Sequence, residues 1–545
     1  MRGTPRLLAT SLIVIASLMF SLPRHAKAIE AARVTEPVAP GSAAVAAVVR
    51  ALRERGPQVV AGATIGSVVV LPRLYEQRGF GRLWTDRRLV DDLLAAIRDA
   101  GAIGLVPADY HLATIEKLRR EEADGEAEAS QLDLVLTDAF VRLAYHTRFG
   151  KVDPERVDAH WNHVGPLARA DSAASLQQAI DQGQIAAFLE EIGPQTSSYR
   201  RLRDGLAAYR RLAAEGGWPV VPSGPTLKPG AADVRVQALR RRLVVTGDLV
   251  GGEVRDDGAL QAATRYDDAL VDAVRVFQAR HGLATDGIVG PGTLQALNVP
   301  VEDRIRQLRV SLERARWVQG DLPPRFVLVN VAGFRIWFID QGERVWESRV
   351  VAGKPITATP IFRADMKTVV LNPTWTIPAS IVKGEVLPAM SRDPNYLARK
   401  GYRVIDGKYV QPAGPDNALG RIKMVFPNRH AVFLHDTPSR SLFGRESRGF
   451  SHGCIRVERP VELASLALGD SAWSVEALER EIATGKTRSI QLASPVPVLV
   501  LYWTAAVEPD GQVHFLPDIY KRDPALLREL DAAPQPPKPR AALRR

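Results

Sequence analysis

Ser451-His452-Gly453-Cys454-Ile455-Arg456 follows His435-Asp436-Thr437 in this chain, with residues 436–450 forming a fifteen-residue spacer between His435 and Ser451. Cys454 is the only cysteine among 545 residues, so no intramolecular disulfide exists and the thiol is free for chemistry. A thiol near its free pKa of about 8.5 is mostly protonated at neutral pH, so an imidazole must take its proton. His435 ends a β-branched and aromatic run, His430 to His435, read here as a strand that can lie beside the loop bearing the thiol. His452, two residues from Cys454, is poorly placed to reach it. Gly453 allows a positive φ or a close backbone approach, so the amides of His452, Gly453 and Cys454 can converge on one oxygen. Each such donor to an oxyanion is worth roughly 3 kcal/mol. Arg456 can hold a carboxylate or brace the loop. Ser451 is divided in the same way between lining the site and bracing the loop. Asp436, adjacent to His435 on an extended strand, points to the opposite face.

The surrounding residues read as a mainly β unit over 323–525. Phe326 to Val331, Phe334 to Phe338 and Val345 to Val351 are short β-branched and aromatic runs separated by glycine-containing turns. Val496 to Val507 followed by Asp510-Gly511 reads as a late hairpin. Residues 376–420 carry Pro378, Pro388, Pro394, Pro412 and Pro415, with a helical piece from Ile381 to Met390. An interruption of that length inside a β unit suggests a lid. Residues 526–545 read as a basic, proline-rich tail.

Upstream, Val234, Ala238 and Leu239 start one helix, and Leu270, Val274 and Phe277 line a second that ends near Gly282. Asp286-Gly287 turns the chain, and Pro291 opens a third helix through Leu297. Residues 230–298 are therefore a small three-helix module. Pro219, Pro222, Pro225 and Pro229 separate it from 61–222, where Leu89, Leu93, Leu94 and Ile97, then Leu132, Val135, Leu136, Ala139, Phe140 and Leu143, recur at helical spacing. This is a helical scaffold, and residues 29–60 read as a linker. Arg2 and Arg6, the apolar run Leu7 to Leu22 and Ala26-Lys27-Ala28 have the layout of a secretory signal peptide over 1–28. The run is shorter than the roughly 20 residues a spanning helix needs, so no membrane span is expected after cleavage. Removing that segment takes four cations and no acids, changing the net charge from +11 to +7, with 68 basic against 61 acidic residues. No concentrated basic groove for nucleic acid is evident. The chain lacks His-Glu-x-x-His and glycine-rich phosphate loops, and one cysteine excludes a thiolate cluster, so no metal or cofactor is implied.

The His435 and Ser451–Arg456 pattern resembles the signature of the L,D-transpeptidases, the YkuD-like enzymes. Val-Gln-Ala-Leu-Arg, Val-Arg-Val-Phe-Gln-Ala-Arg-His-Gly-Leu and Asp-Gly-Ile-Val-Gly-Pro-Gly-Thr-Leu, within residues 234–297, resemble the small peptidoglycan-binding domain found on many wall enzymes. The whole arrangement is similar to the large periplasmic L,D-transpeptidases of Gram-negative bacteria. The resemblance implies an α+β multidomain protein: a mainly β catalytic domain with an inserted lid, a three-helix peptidoglycan-binding domain and a helical scaffold. It assigns Cys454 as nucleophile, His435 as base and a backbone carbonyl as the group orienting His435. It also implies a periplasmic enzyme acting on peptidoglycan, sensitive to carbapenems. The donor is a tetrapeptide stem cut after meso-diaminopimelate with loss of D-Ala, and the acceptor is the amine of a second stem, giving a 3→3 cross-link. The sequence does not separate this from hydrolysis by an L,D-carboxypeptidase or from attachment of a protein lysine. A wall-binding protein with a dead site is disfavoured by the presence of Cys454, His435 and Gly453.

Overall fold

The computed structural model describes residues 42–121, 125–162, 172–250 and 264–534. The expected signal peptide lies outside them.

The long helix Glu126–Phe149 is the axis of the N-terminal unit, burying Leu132, Val135, Leu136, Ala139, Phe140 and Leu143 as their spacing requires. Helices Val70–Gln77, Arg87–Asp99, Leu112–Glu121, Ser172–Asp181 and Ile185–Ile192 surround it. Its buried acids cap the loops around it. Asp138 accepts from the amides of Gly66 (2.9 Å) and Ser67 (2.8 Å), and Asp133 from those of Leu83 (2.9 Å) and Trp84 (2.7 Å). Part of the expected linker belongs to this unit. Ala43–Arg55 is a helix capped by the Ser42 side chain, with Val45, Val49 and Leu52 in the same core, and it leads into the hairpin β1 (Gln58–Val60) and β2 (Ala63–Ile65). The last turn of the chain also packs here. Asp523–Asp531 is a helix burying Leu526 and Leu530, so the expected tail is structured as far as that helix.

The three-helix module has the expected helices, Arg235–Val245, Asp268–Arg280 and Pro291–Leu297, closed over Leu239, Leu243, Leu270, Val274, Phe277 and Leu297. At the Asp286-Gly287 turn, Gly287 has φ +71°, and a Cβ there would lie 2.7 Å from Val271. Arg280 is buried in a two-pronged ion pair with Asp248, both contacts 2.5 Å, and also donates to the Val513 carbonyl at 3.1 Å. Val513 lies on the hairpin β15 (Ala505–Val507) and β16 (Val513–Phe515), so this contact fixes the module against the C-terminal unit. Helix Val301–Arg316 runs on from the module and buries Leu308, Leu312 and Ala315 against the same hairpin and helix Ser197–Ala214.

The C-terminal unit is built on β3 (Arg325–Asn330), β4 (Arg335–Asp340), β5 (Glu343–Gly353) and β6 (Phe362–Leu371), followed by β10 (Ile422–Val425), β11 (Leu434–His435), β12 (Gly449–Ser451), β13 (Ile455–Val457) and β14 (Arg488–Leu501). Pairing runs β4-β3-β14-β6-β10-β11-β13-β5 and returns to β4, so the sheet closes into a barrel with β12 added beside β5. Closure removes the exposed sheet edges. Inside, Met424, Leu434 and Ile455 form one row across β10, β11 and β13, each fully buried. Burying each such side chain stabilises by roughly 1.5–3 kcal/mol.

Two strand expectations change. β14 begins at Arg488 rather than Val496, because a register shift between Gln491 and Val496 takes up Pro495, and the late hairpin is β15–β16 alone. The run from His430 is strand only at Leu434–His435. Asn428 Oδ1 accepts from the amides of His430 (3.0 Å) and Val432 (3.2 Å), turning the chain, and Ala431 takes φ +53°.

Between β6 and β10 the insert is part helix and part sheet. A helical run covers Ala379–Ile381, Val382–Val386 and Leu387–Met390, close to the expected piece. β7 (Trp375–Thr376), β8 (Arg403–Ile405) and β9 (Lys408–Gln411) form a separate three-stranded sheet in the order β7-β9-β8, which the proline-rich sequence did not suggest.

Candidate active site

The site grows from the row next to the apolar one. Lys423 on β10 is paired with His435 on β11, which is paired with Arg456 on β13. Side chains alternate along a strand and registered neighbours share a face. Burial of Ile422, Met424, Leu434, Ile455 and Val457 therefore turns Lys423, His435 and Arg456 to the other face. Phe433 and Cys454, each the residue just before its strand and two before His435 or Arg456, join them, with the Ile455 amide bonded to the Phe433 carbonyl at 3.1 Å.

His435 is only 4% exposed. Its Nδ1 donates to the backbone carbonyl of Asp436 at 2.5 Å, which leaves the lone pair on Nε2. Burial, aided by the positive charges of Arg456 and Lys423, pushes its pKa down to about 3, while the carbonyls of Asp436 and Leu419 oppose the shift. The imidazole is therefore uncharged at neutral pH. The Asp436 carboxylate faces elsewhere, accepting from the Arg421 amide at 2.9 Å and from Arg440 at 3.2 Å.

The Cys454 thiol donates to the Ala431 carbonyl at 3.7 Å rather than to the imidazole. Burial raises its pKa, opposed by the Phe433 amide and the charges of Lys423 and Arg456. At rest the pair is thus neutral thiol and neutral imidazole. Contacts of this kind often tighten only when substrate arrives.

The loop before Cys454 is fixed from inside. Gly453 has φ +110°, a conformation L side chains avoid. Its amide donates to Ser451 Oγ at 3.1 Å, Ser451 Oγ donates to the Cys454 carbonyl at 2.5 Å, and Ser451 is 2% exposed. Of the two roles the sequence leaves open for Ser451, the structure shows the brace. One expectation is corrected, because the Gly453 amide, expected among the oxyanion donors, is engaged by that brace. Among the described residues the amides of His452 and Cys454 make no hydrogen bond, so they are the donors left for an oxyanion. Thr359, fully buried, donates to the Gly453 carbonyl at 3.0 Å and accepts from the Gly353 amide at 2.9 Å. Tyr520 donates to the Gly353 carbonyl at 2.7 Å. Sequence reasoning missed Thr359, Tyr520 and Lys423. The Gly353…Thr359-Pro360 turn after a strand was the available signal for Thr359.

His452 stands outside this core. Its Nε2 meets Glu385 of the insert at 2.6 Å, with both side chains substantially exposed. Arg456 donates only a long hydrogen bond to Thr437 Oγ1, 3.5 Å, and its Nε is buried without a partner. Among the described residues no carboxylate pairs with Arg456 or Lys423, and no group of three His, Cys, Asp or Glu side chains is arranged to hold a metal ion.

Comparison with known proteins agrees with this layout. A scaffold domain family matches residues 70–206, a family described as "Putative peptidoglycan binding domain" matches 233–297, and the L,D-transpeptidase catalytic domain family, YkuD, matches 324–497. A "Putative L,D-transpeptidase" of Haemophilus influenzae is 35% identical over 217 residues, 36% of this chain and 44% of that protein. The N-acetylmuramoyl-L-alanine amidase CwlL of Bacillus licheniformis is 37% identical over 75 residues, 14% of this chain and 19% of that one. This chain therefore spans less than half of either relative. A solved L,D-transpeptidase from Stackebrandtia nassauensis aligns at 15% identity over 52% of this chain and 96% of that chain, with a TM-score of 0.22. Residues 324–497 thus match the L,D-transpeptidase (YkuD) catalytic domain family, and the chain joins that region to ones matching a peptidoglycan-binding domain and a scaffold domain.

Proposed function

We propose that the protein cross-links peptidoglycan through a thioester on Cys454. The observation that carries this reading is the common face of β11 and β13, where the only thiol, an uncharged imidazole and an unpaired guanidinium stand together. Cys454 Sγ attacks the carbonyl carbon of meso-diaminopimelate in a tetrapeptide stem while His435 takes the thiol proton. The carbonyl oxygen becomes an oxyanion facing the amides of His452 and Cys454. The bond to D-Ala breaks, the proton passes from His435 to the departing amine, and the stem remains as a thioester. The amine of a second stem then attacks that carbonyl and gives up a proton to His435. The thiolate leaves, recovers the proton, and a 3→3 cross-link remains. Arg456 holds a stem carboxylate, which would satisfy its buried Nε.

The insert is read as a lid, because it touches the catalytic loop through Glu385 and His452 and a waiting thioester is wasted by water. We place the enzyme in the periplasm, held to the wall by its binding domain; no helix among the described residues is long and apolar enough to cross a membrane. Incubating the purified protein with disaccharide-tetrapeptides and weighing the products tests the reading. Dimers with released D-Ala are expected, absent in Cys454→Ala. Tripeptides alone would make it a carboxypeptidase, and unchanged substrate would overturn the enzymatic reading.

A further inference from the structure

Lys423 lies opposite His435 in the β10–β11 ladder, on the face that carries Cys454 and Arg456. Its Nζ sits over the Phe433 ring, 3.9 Å from the centroid, and that ring meets the His435 imidazole edge-on at 5.5 Å. Phe433 also binds the Ile455 amide beside Cys454 through its carbonyl, and its ring touches both the ammonium and the imidazole. Among the described residues no ion pair or hydrogen bond is made by the Lys423 ammonium, which has the Phe433 ring as its partner. A half-buried ammonium without a carboxylate is costly and usually has a task.

We propose that Lys423 is a positioning residue of the thiol–imidazole pair, its ammonium supplying positive charge that favours the thiolate of Cys454 and keeps His435 uncharged. Among the described residues Arg456 on β13 is the second cation acting on the pair; it bears on His435 ahead of Lys423, whereas Lys423 bears on Cys454 ahead of Arg456. The Asp436 carboxylate on β11 is turned to Arg421 and Arg440, and on the catalytic loop His452 is paired with Glu385 of the insert. From β5, the residue registered with Arg456 is the uncharged Val351. Burial lowers the pKa of Lys423 and the neighbouring thiol raises it, the reciprocal of the same interaction. The consequence for catalysis is directional. Charge beside the pair lowers the cost of the thiolate and raises that of the imidazolium, so a proton taken by His435 is readily surrendered to the leaving amine.

The inference rests on Cys454 and His435 as nucleophile and base, but its test does not require turnover. Cys454 is the only thiol, so its alkylation by iodoacetamide, followed by intact mass against pH, reads its ionisation directly. Lys423→Met should move the midpoint of that profile upward by about one unit and slow alkylation about tenfold at neutral pH. Lys423→Arg should keep the wild-type midpoint. Circular dichroism and binding to purified sacculi identify any variant that has merely unfolded, and in that case Lys423→Gln replaces Lys423→Met. A folded neutral variant with an unshifted midpoint overturns the proposal, as does an arginine variant that shifts like methionine. A shifted midpoint in a protein inactive on muropeptides keeps the electrostatic role and overturns the transpeptidase reading instead.

Discussion

Two histidines of one signature stand in opposite kinds of structure. His435 is on a barrel strand, almost without solvent, its ring fixed by the Asp436 carbonyl and its neighbours set by the β10 and β13 ladders. His452 is in the loop after β12, exposed, and held by one side chain of the insert. A ladder fixes a side chain through its backbone, so no single neighbour controls it. A loop residue is placed by whatever packs over it, so its position reports the state of that cover. In the proposed function the difference places constancy and adjustment in different parts of the site: chemistry on the sheet, access on the insert.

The most damaging way to break the comparison is at His435. His435→Gln should slow acylation by at least about a hundredfold, whereas His452→Gln should cost far less. Stopped-flow measurement of β-lactam acylation compares them, and equal losses would erase the distinction between ladder and loop. The same residue has a stability signature. Its folded pKa is depressed to about 3 from 6.5, so below pH 6.5 the unfolded chain binds the proton and the folded one does not. Stability from this group is full above pH 6.5 and is lost progressively as pH falls towards 3. Melting curves of His435→Gln should therefore fall less steeply with acid than those of the wild type, and parallel curves would contradict a buried neutral ring.

A smaller effect is expected at the hinge between the two regions. Gly453→Ala places a Cβ at φ +110°, a strain of order 1–3 kcal/mol, although it would meet only the Thr357 carbonyl oxygen at an ordinary 3.8 Å. Acylation should drop by roughly tenfold or more, with the melting temperature lowered by a few degrees. An unaffected variant would mean that the loop adopts another conformation in solution.

The smallest effect on folding, and the sharpest on the insert, is expected from Glu385→Gln. Exposed ion pairs contribute about 0–1 kcal/mol, so the melting temperature should hardly move. If the pair keeps the lid over the loop, products should shift from dimers towards tripeptides. Replacing residues 380–415 by a short Gly-Ser connection should give a larger shift in the same direction. Gly420 must be kept in that variant, because a Cβ there would lie 2.5 Å from Asp436. An unchanged dimer-to-tripeptide ratio in both variants would remove the water-excluding role.

Much of this was legible in the sequence where local pattern and final structure coincide. Short β-branched and aromatic runs between glycine-containing turns located β3, β4 and β5, period-3.6 patterns located the helices of the scaffold and binding domains, and a solitary cysteine beside Gly453 marked the reactive loop. What was missed depends on partners distant in the chain. The helix at Ala43–Arg55 was hidden because its alanines and valines read as filler, though Ser42 and Gly56 are its end signals. The strand assigned to His430 onward is shortened by side-chain capture of amides at Asn428. Lys423 could not be singled out, since its alternation with Ile422 and Met424 is common to any half-buried strand. Only the barrel register places it opposite His435. Ser451 was left open between lining the site and bracing the loop, and the Gly453 amide was read as an oxyanion donor; the Ser451 hydroxyl closes on the loop's own backbone and engages that amide.

The Arg280 contact to Asp248 and Val513 has a mechanical consequence. A binding domain on a flexible tether sweeps a volume and raises the local concentration of every site within reach. One bolted to the β15–β16 hairpin through a buried guanidinium sweeps nothing. It holds the reactive thiol at one offset and one orientation from whatever wall segment it grips, so reach is exchanged for aim. Under the proposed function, new bonds would be laid at a fixed displacement from the point of attachment, and the protein would have to release and rebind to work anywhere else.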